Sequence, residues 1–344
     1  MKKILVAILV LVLSFSTMAH AADRPITWVT QTCFALASPL GNLFLTWADR
    51  VNEMSGGRLV ITVHDAGEII PPMATYEAVR DGLLDAAMNT PAWQAGLYPA
   101  GDLFYTLPGG ITETIELITW AWTDGRRLMQ EMYGDSVIAL PFGLTPPEIW
   151  WSTRRIETLD DLSGMRIRSA GLCMALFERL GMSVVMLAGG EVLPALRQGV
   201  IDAVEFAFPT MDEALGIHEV AQYMLAPPIH MGSNMFQILI HPARWEELPS
   251  DLQAIVTNAA SAVTFEMYAQ LMSEQGASLR RMIDHGVTVI RLSPECQRRA
   301  HEISLQLLED HSQLDPFFAK VWESQRQMLE SLTPFINMSS FDLD

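Results

Sequence analysis

Residues Met165 to Pro209, MRIRSAGLCMALFERLGMSVVMLAGGEVLPALRQGVIDAVEFAFP, constrain the fold more than any other stretch. Met165–Arg168 reads as a short extended segment with Arg166 and Arg168 on one face. A helix follows, then the apolar run Ser183–Leu187 and Gly189-Gly190. A second helix, about Val192 to Gln198, stops at Gly199, and Val200–Phe206 reads as a further strand. The order strand, helix, strand, helix, strand implies a parallel sheet with helical crossovers. Ligands bind such sheets at the carboxyl ends of the strands, where Arg168 and Glu205 fall.

An earlier segment echoes this one. Tyr76–Met88 reads YEAVRDGLLDAAM and Leu193–Glu205 reads LPALRQGVIDAVE. Each is a short helix ended by Gly, followed by an apolar-Asp-Ala strand, and superposition sets Asn89 opposite Phe206. Two similar lobes facing a shared crevice would produce this pattern, although helix-Gly-strand is also a common unit of α/β proteins.

The chain has 344 residues, half of them apolar, which suits two lobes and excludes wholesale disorder. Lys2-Lys3, the apolar run Ile4–Leu13 and Ala19-His20-Ala21 read as an export signal cleaved after Ala21. That run is too short to span a bilayer. Removing the two lysines takes the formal charge from −18 to −20. Such a field argues against nucleic acid or an anionic membrane as partner, while a buried Arg still governs its own pocket. Cys33, Cys173 and Cys296 form no CxxC and are expected as buried thiols, one bridge remaining open.

Further along, Ile26–Thr30 and Arg58–His64 read as strands around a helix at Leu40–Met54. A helix is expected over about Thr112–Tyr133. Val137–Leu140 reads as strand, with Pro141-Phe142-Gly143 as a turn-rich crossing. Met235–Ile240 resumes as strand, Asp251 to about His285 as one long helix, and Val287–Leu292 as the last strand. Helices then run to about Leu332.

Catalytic signatures are scarce. The chain has no Gly-x-Ser-x-Gly, Walker or Gly-x-Gly-x-x-Gly motif, and His218-Glu219 lacks the second His of a zincin. Arg168 is the sharpest candidate, because a guanidinium fork fixes a carboxylate through two parallel hydrogen bonds. Its plain alternative is an Arg at an exposed strand end. Glu205, set in an apolar strand, must lie at a surface, be ion-paired or face a ligand. Trp93, Trp150 and Phe206 are pocket walls or ordinary core, and Met231 is filler or an adaptable lining.

These residues resemble the solute-binding subunit of TRAP transporters, the DctP-type extracytoplasmic receptors, over nearly the whole mature chain. Matching runs are SGGRLVITVHDAGEI (Ser55–Ile69), YEAVRDGLLDAA, Pro141-Phe142-Gly143, DLSGMRIR (Asp161–Arg168) and GGEVLPALRQGVIDAVEF (Gly189–Phe206). The last is most similar to the branch that binds 2-oxoacids and hydroxy acids. The resemblance implies a two-lobed, periplasmic-binding-protein-like α/β fold, with hinged lobes and a long bracing helix. Lobe I is expected at 24–145 plus about 232–262. Lobe II is expected at 146–231 plus about 263–344, including the C-terminal helices. The carboxylate-binding arginine falls on Arg168, and a sodium or calcium ion would be held by Glu205 and the Phe206 carbonyl.

The chain departs from that branch at three positions. Phe206 replaces a Trp, and Pro147 and Met231 stand where oxygen donors are expected, which leaves a hard cation short of ligands. Glu148 makes up one donor if the loop is shifted. The expectation is a periplasmic, non-catalytic receptor for an organic anion with an apolar or aromatic body. Arg168 grips the carboxylate, Glu205, Asn89 and Glu148 meet polar groups, and Trp93, Trp150, Phe206 and Met231 wall the body. The expected partners are TRAP permease subunits and, as in a related branch, a second copy through the C-terminal helices. An exported hydrolase or isomerase with Glu205 as base, and a ligand sensor for a signalling receptor, are the rival readings.

Overall fold

The computed structural model describes residues 24–105, 108–187, 189–230 and 232–339. The export signal at 1–21 and Met231 lie outside the described residues. In chain order the strands are β1 Ile26–Gln31, β2 Leu59–His64, β3 Ala86–Asn89, β4 Ile138–Leu144, β5 Trp150–Ser152, β6 Arg166–Arg168, β7 Ser183–Val185, β8 Ala203–Glu205, β9 Tyr223–Leu225, β10 Met235–Ile240 and β11 Thr288–Ile290. They form two sheets, β2-β1-β3-β10-β4 and β11-β9-β5-β8-β6-β7. Each sheet carries its own helices, so the chain folds as two α/β lobes.

The first lobe shows how sequence pattern becomes packing. Helix Pro39–Met54 is capped by the Ser38 side chain accepting from the Gly41 N–H. Its buried residues Leu40, Leu43, Phe44, Trp47 and Val51 recur at three- and four-residue spacing and form one face. That face joins Trp28, Leu59 and Phe142 in a core cluster. Burying each large side chain contributes about 1.5–3 kcal/mol. Deleting Trp47 would hurt most, since its indole N–H also donates to the Val256 carbonyl at 3.2 Å.

Pro141-Phe142-Gly143 is strand rather than the turn expected. β4 is the edge of its sheet, so the N–H missing at Pro141 costs no outer ladder bond. The register shifts between Met235 and Phe236, and Gly143 sits at φ +66° with its N–H donating instead to the Thr264 hydroxyl at 2.8 Å. The irregularity is a bulge in a continuous strand.

In the second lobe, β6 runs parallel to both β7 and β8, through helices Cys173–Arg179 and Gly189–Arg197. Gly199, at φ +64°, turns the chain out of the second helix. Asp202 then ties the base of the layer, accepting from the Arg166 backbone N–H, Nε and Nη2, each at 3.0 Å. The strands are shorter than the apolar runs suggest because Val200 and Ile201 lie in the turn.

Two features join the lobes. Segments 145–149 and 232–234 cross side by side: Thr145 N–H donates to the Asn234 carbonyl at 3.0 Å, and Glu148 N–H to the Gly232 carbonyl at 3.2 Å. The helix Ser250–Asp284 has 35 residues, about 52 Å at 1.5 Å per residue. It packs on helix 39–54 and β4 at one end and on helix Pro209–Leu215 of the second lobe at the other. The C-terminal tail divides in its packing. Helix Pro294–Leu314 packs on helix 173–179, whereas Pro316–Ser339 returns to the first lobe. There the Gln325 amide donates to the Leu103 carbonyl at 2.8 Å, and the Trp120 indole to the Ser324 hydroxyl at 3.1 Å.

Candidate functional site

Arg168 ends β6, and β8 runs beside it, so the sheet itself brings Arg168 to the end of the strand carrying Glu205. Nη1 donates to the Glu205 carbonyl at 2.6 Å and Nε to the Leu187 carbonyl at 3.2 Å. Nη1 also lies 3.8 Å from the Glu205 carboxylate, with the two side chains 11% and 3% exposed. The guanidinium covers the Phe206 ring at 4.8 Å, a favourable cation–π placement. Two donors are therefore spent on positioning. Among the described residues the other N–H groups have no hydrogen-bond partner.

Phe206 is a platform with two neighbours. A Cβ on Gly189 would meet its Cζ at 2.9 Å, so only glycine there lets the helix start pass the ring so closely. Phe206 packs against the first lobe's core cluster as well as the second lobe's, as a residue between lobes must. On the first-lobe side the same cluster is edged by Phe34, Trp93 and Tyr105. Phe34 meets Trp93 at 6.4 Å and Phe236 at 5.1 Å, and Tyr105 meets Phe236 at 5.8 Å. Burial and then the fields of Glu148 and Glu205 push the Tyr105 phenol well above its ordinary pKa, so it stays protonated.

Beside Arg168, one ligand atom from each of Glu148, Glu205 and His230 lies within 4.8 Å of the others, all three residues buried. Glu148 comes from the outgoing crossing segment, His230 from the return, Glu205 from the end of β8. Glu148 Oε1 accepts from the Asn234 amide, leaving Oε2 without a partner. Glu205 Oε2 and both ring nitrogens of His230 are likewise buried without hydrogen bonds. Burial, reinforced by the Glu205 charge, pushes the Glu148 carboxyl well above the carboxylate range. Burial holds His230 down to about 4, keeping the imidazole neutral. Glu148 and His230 are the chain neighbours of Pro147 and Met231.

The other sequence candidates divide. Trp150 sits opposite Glu205 in the β5–β8 register, wholly buried, and its ring leads through Phe177 (5.7 Å) to His230 (5.7 Å). It backs the cluster rather than walling open space. Asn89 is engaged within the first lobe. Its amide donates to Thr75 at 2.8 Å and its carbonyl accepts from Gln237 at 2.9 Å, so the first lobe already uses it. Tyr105 and His230 were missed by sequence reading. His230 lies 25 positions from Glu205 in a proline-rich segment, where no spacing rule marks a ligand. Arg166 is not part of the site, being paired with Asp202 at the opposite end of β6. A separate cavity of about 540 Å³, lined by Gly109, Pro147, Pro228, Arg298 and His301 among others, meets the cluster only at His230.

Two lobes with crossing connections, and an arginine at the strand ends where they meet, define a hinged binding receptor. Comparison makes the class specific. The model of the DctP family, bacterial extracellular solute-binding protein family 7, matches residues 32–313, and the chain belongs to that family. It is 30% identical over 283 residues to the monocarboxylate 2-oxoacid-binding periplasmic protein of Nostoc sp., covering 81% of this chain and 77% of that one. Two solved TRAP solute-binding proteins share the fold. That of Colwellia psychrerythraea, with bound calcium and pyruvate, has TM-score 0.86 at 24% identity, covering 92% of this chain and 98% of that one. That of Bordetella bronchiseptica, a mixed-occupancy dimer with calcium and picolinate, has TM-score 0.85 at 23% identity, covering 92% and 95%. The α/β architecture expected from the sequence is therefore the observed one, in a family of extracytoplasmic binding proteins.

Proposed function

We propose that the chain is a periplasmic, non-catalytic receptor that captures a small organic monocarboxylate between its lobes and delivers it to TRAP permease subunits. One observation carries the reading. The Arg168 guanidinium is nearly buried, pre-positioned by two backbone carbonyls and stacked over the Phe206 ring at 4.8 Å, 3.8 Å from the Glu205 carboxylate. Pre-positioning matters because the cost of ordering a long side chain is met before the ligand arrives. Trp93 and Phe206 suit an apolar or aromatic body, in keeping with the picolinate of the Bordetella neighbour. We take residues 24–145 with 232–262 as the first lobe, joined by the C-terminal helix 316–339, and the remainder as the second. Export through cleavage after Ala21 and a dimer through the C-terminal helices belong to the same proposal.

A ligand that touches both lobes favours the closed form, because only that form makes both sets of contacts. Calorimetric titration of the purified protein with pyruvate, lactate and picolinate tests the proposal, followed by recovery of the bound acid by mass spectrometry. Binding with unchanged acid recovered is the expected result. Chemical turnover of the acid would make the chain an enzyme with Glu205 as base, and no binding of any monocarboxylate would remove the ligand class.

A further inference from the structure

We propose that Glu148, Glu205 and His230 form a site for a borderline divalent transition metal of the Zn2+ class, rather than the hard cations that accompany acids in the neighbouring structures. The inference rests on the receptor reading, and it concerns Glu148 and His230, which stand in sequence beside Pro147 and Met231, whose side chains offer a hard ion no oxygen.

Three observations lead to it. The donor atoms of the three residues already converge, within 4.8 Å of one another. Each residue offers a buried atom without a hydrogen bond (Glu148 Oε2, Glu205 Oε2 and a His230 ring nitrogen), and coordination removes that cost at those three atoms. The donor set includes an imidazole. Calcium takes six to eight oxygens and sodium likewise favours oxygen, whereas two carboxylates and an imidazole suit zinc and its neighbours. Charge points the same way: once a cation displaces the Glu148 proton, two carboxylates and a bound acid set against Arg168 leave two negative charges, which a divalent ion cancels and sodium does not.

The position gives the ion a mechanical role. Glu148 belongs to the outgoing crossing and His230 to the return, with their backbones paired through Glu148 N–H and the Gly232 carbonyl at 3.2 Å. Glu205 ends β8 of the second lobe. A metal here links both hinge segments to the strand end beside Arg168, fixing the hinge against which the first lobe closes.

The test is calorimetric titration of chelator-stripped protein with ZnCl2, CoCl2 and CaCl2. The expected result is one Zn2+ or Co2+ per chain, bound at least 100-fold more tightly than Ca2+, with that preference lost in His230→Gln. Ca2+ binding as tight as Zn2+, no metal binding, or a preference unchanged in His230→Gln would each overturn the assignment. Should the variant not fold, Co2+-loaded wild type decides by proton NMR. A paramagnetically shifted imidazole N–H supports coordination by His230, and its absence overturns it. Pyruvate and picolinate titrations of stripped and metal-loaded protein separate the two proposals. Acid binding without metal binding sinks only the metal, whereas metal binding with no acid in either form sinks the receptor.

Discussion

Replacing Arg168 by Ala removes a side chain that is 11% exposed and already engaged with two carbonyls, one carboxylate and one ring. Its ring contact is worth about 0.5–2 kcal/mol, so a substitution keeping the positive charge retains part of the site. Its partnership with a ligand carboxylate is larger: truncating one member of a buried, hydrogen-bonded charge pair costs about 2–5 kcal/mol. At about 1.4 kcal/mol per decade that is a loss of roughly 30- to 5000-fold in affinity. Arg168→Lys keeps a point charge without the fork and is expected between wild type and Arg168→Ala. Calorimetry with pyruvate and picolinate measures the loss, and circular dichroism confirms the fold. An affinity within threefold of wild type in folded Arg168→Ala would refute the role assigned to the guanidinium.

Further expectations concern the supports of the site. Gly189→Ala drives a Cβ to 2.9 Å from the Phe206 ring and should weaken acid binding about tenfold by displacing the cation–π platform, with titration as the check. Thr264→Val strands the Gly143 N–H against the long helix and should destabilise the fold by about 1–3 kcal/mol in denaturant melts. Asp212 is buried, accepts from the Trp151 indole at 2.8 Å, and burial pushes its carboxyl up to about 8. Between its ordinary 3.8 and about 8 the folded state holds a proton the unfolded state has released, so stability falls as pH rises through that window. The slope is at most about 1.4 kcal/mol per pH unit. Asp212→Asn should flatten the profile from pH 5 to 8, and parallel profiles for the two proteins would contradict the assignment.

Much of this arrangement is legible in the chain because it rests on local rules. Strand, helix and Gly alternate through 165–209 with the period each element requires, and parallel pairing then forces Arg168 beside the end of β8. Of the readings open for Glu205, the paired one has its counterpart in the structure, 3.8 Å from Arg168 and within the acidic cluster. What escaped depends on pairings between distant segments. Pro141 looks like a turn until β4 is known to be an edge strand. Asn89 looks like a cleft residue until β10, nearly 150 positions later, brings Gln237 to its carbonyl. His230 becomes a candidate ligand only when the return crossing is laid beside Glu148. The tail reads as one unit, yet packing sends helix 316–339 back across to the first lobe.

The most direct test is a crystal structure of the protein with pyruvate or picolinate. The expected result is an acid between the lobes, its carboxylate oxygens within hydrogen-bond distance of the Arg168 guanidinium and its body against Phe206. A ligand seated instead in the cavity lined by Pro228, Arg298 and His301, with Arg168 bonded only to the Glu205 and Leu187 carbonyls, would contradict it.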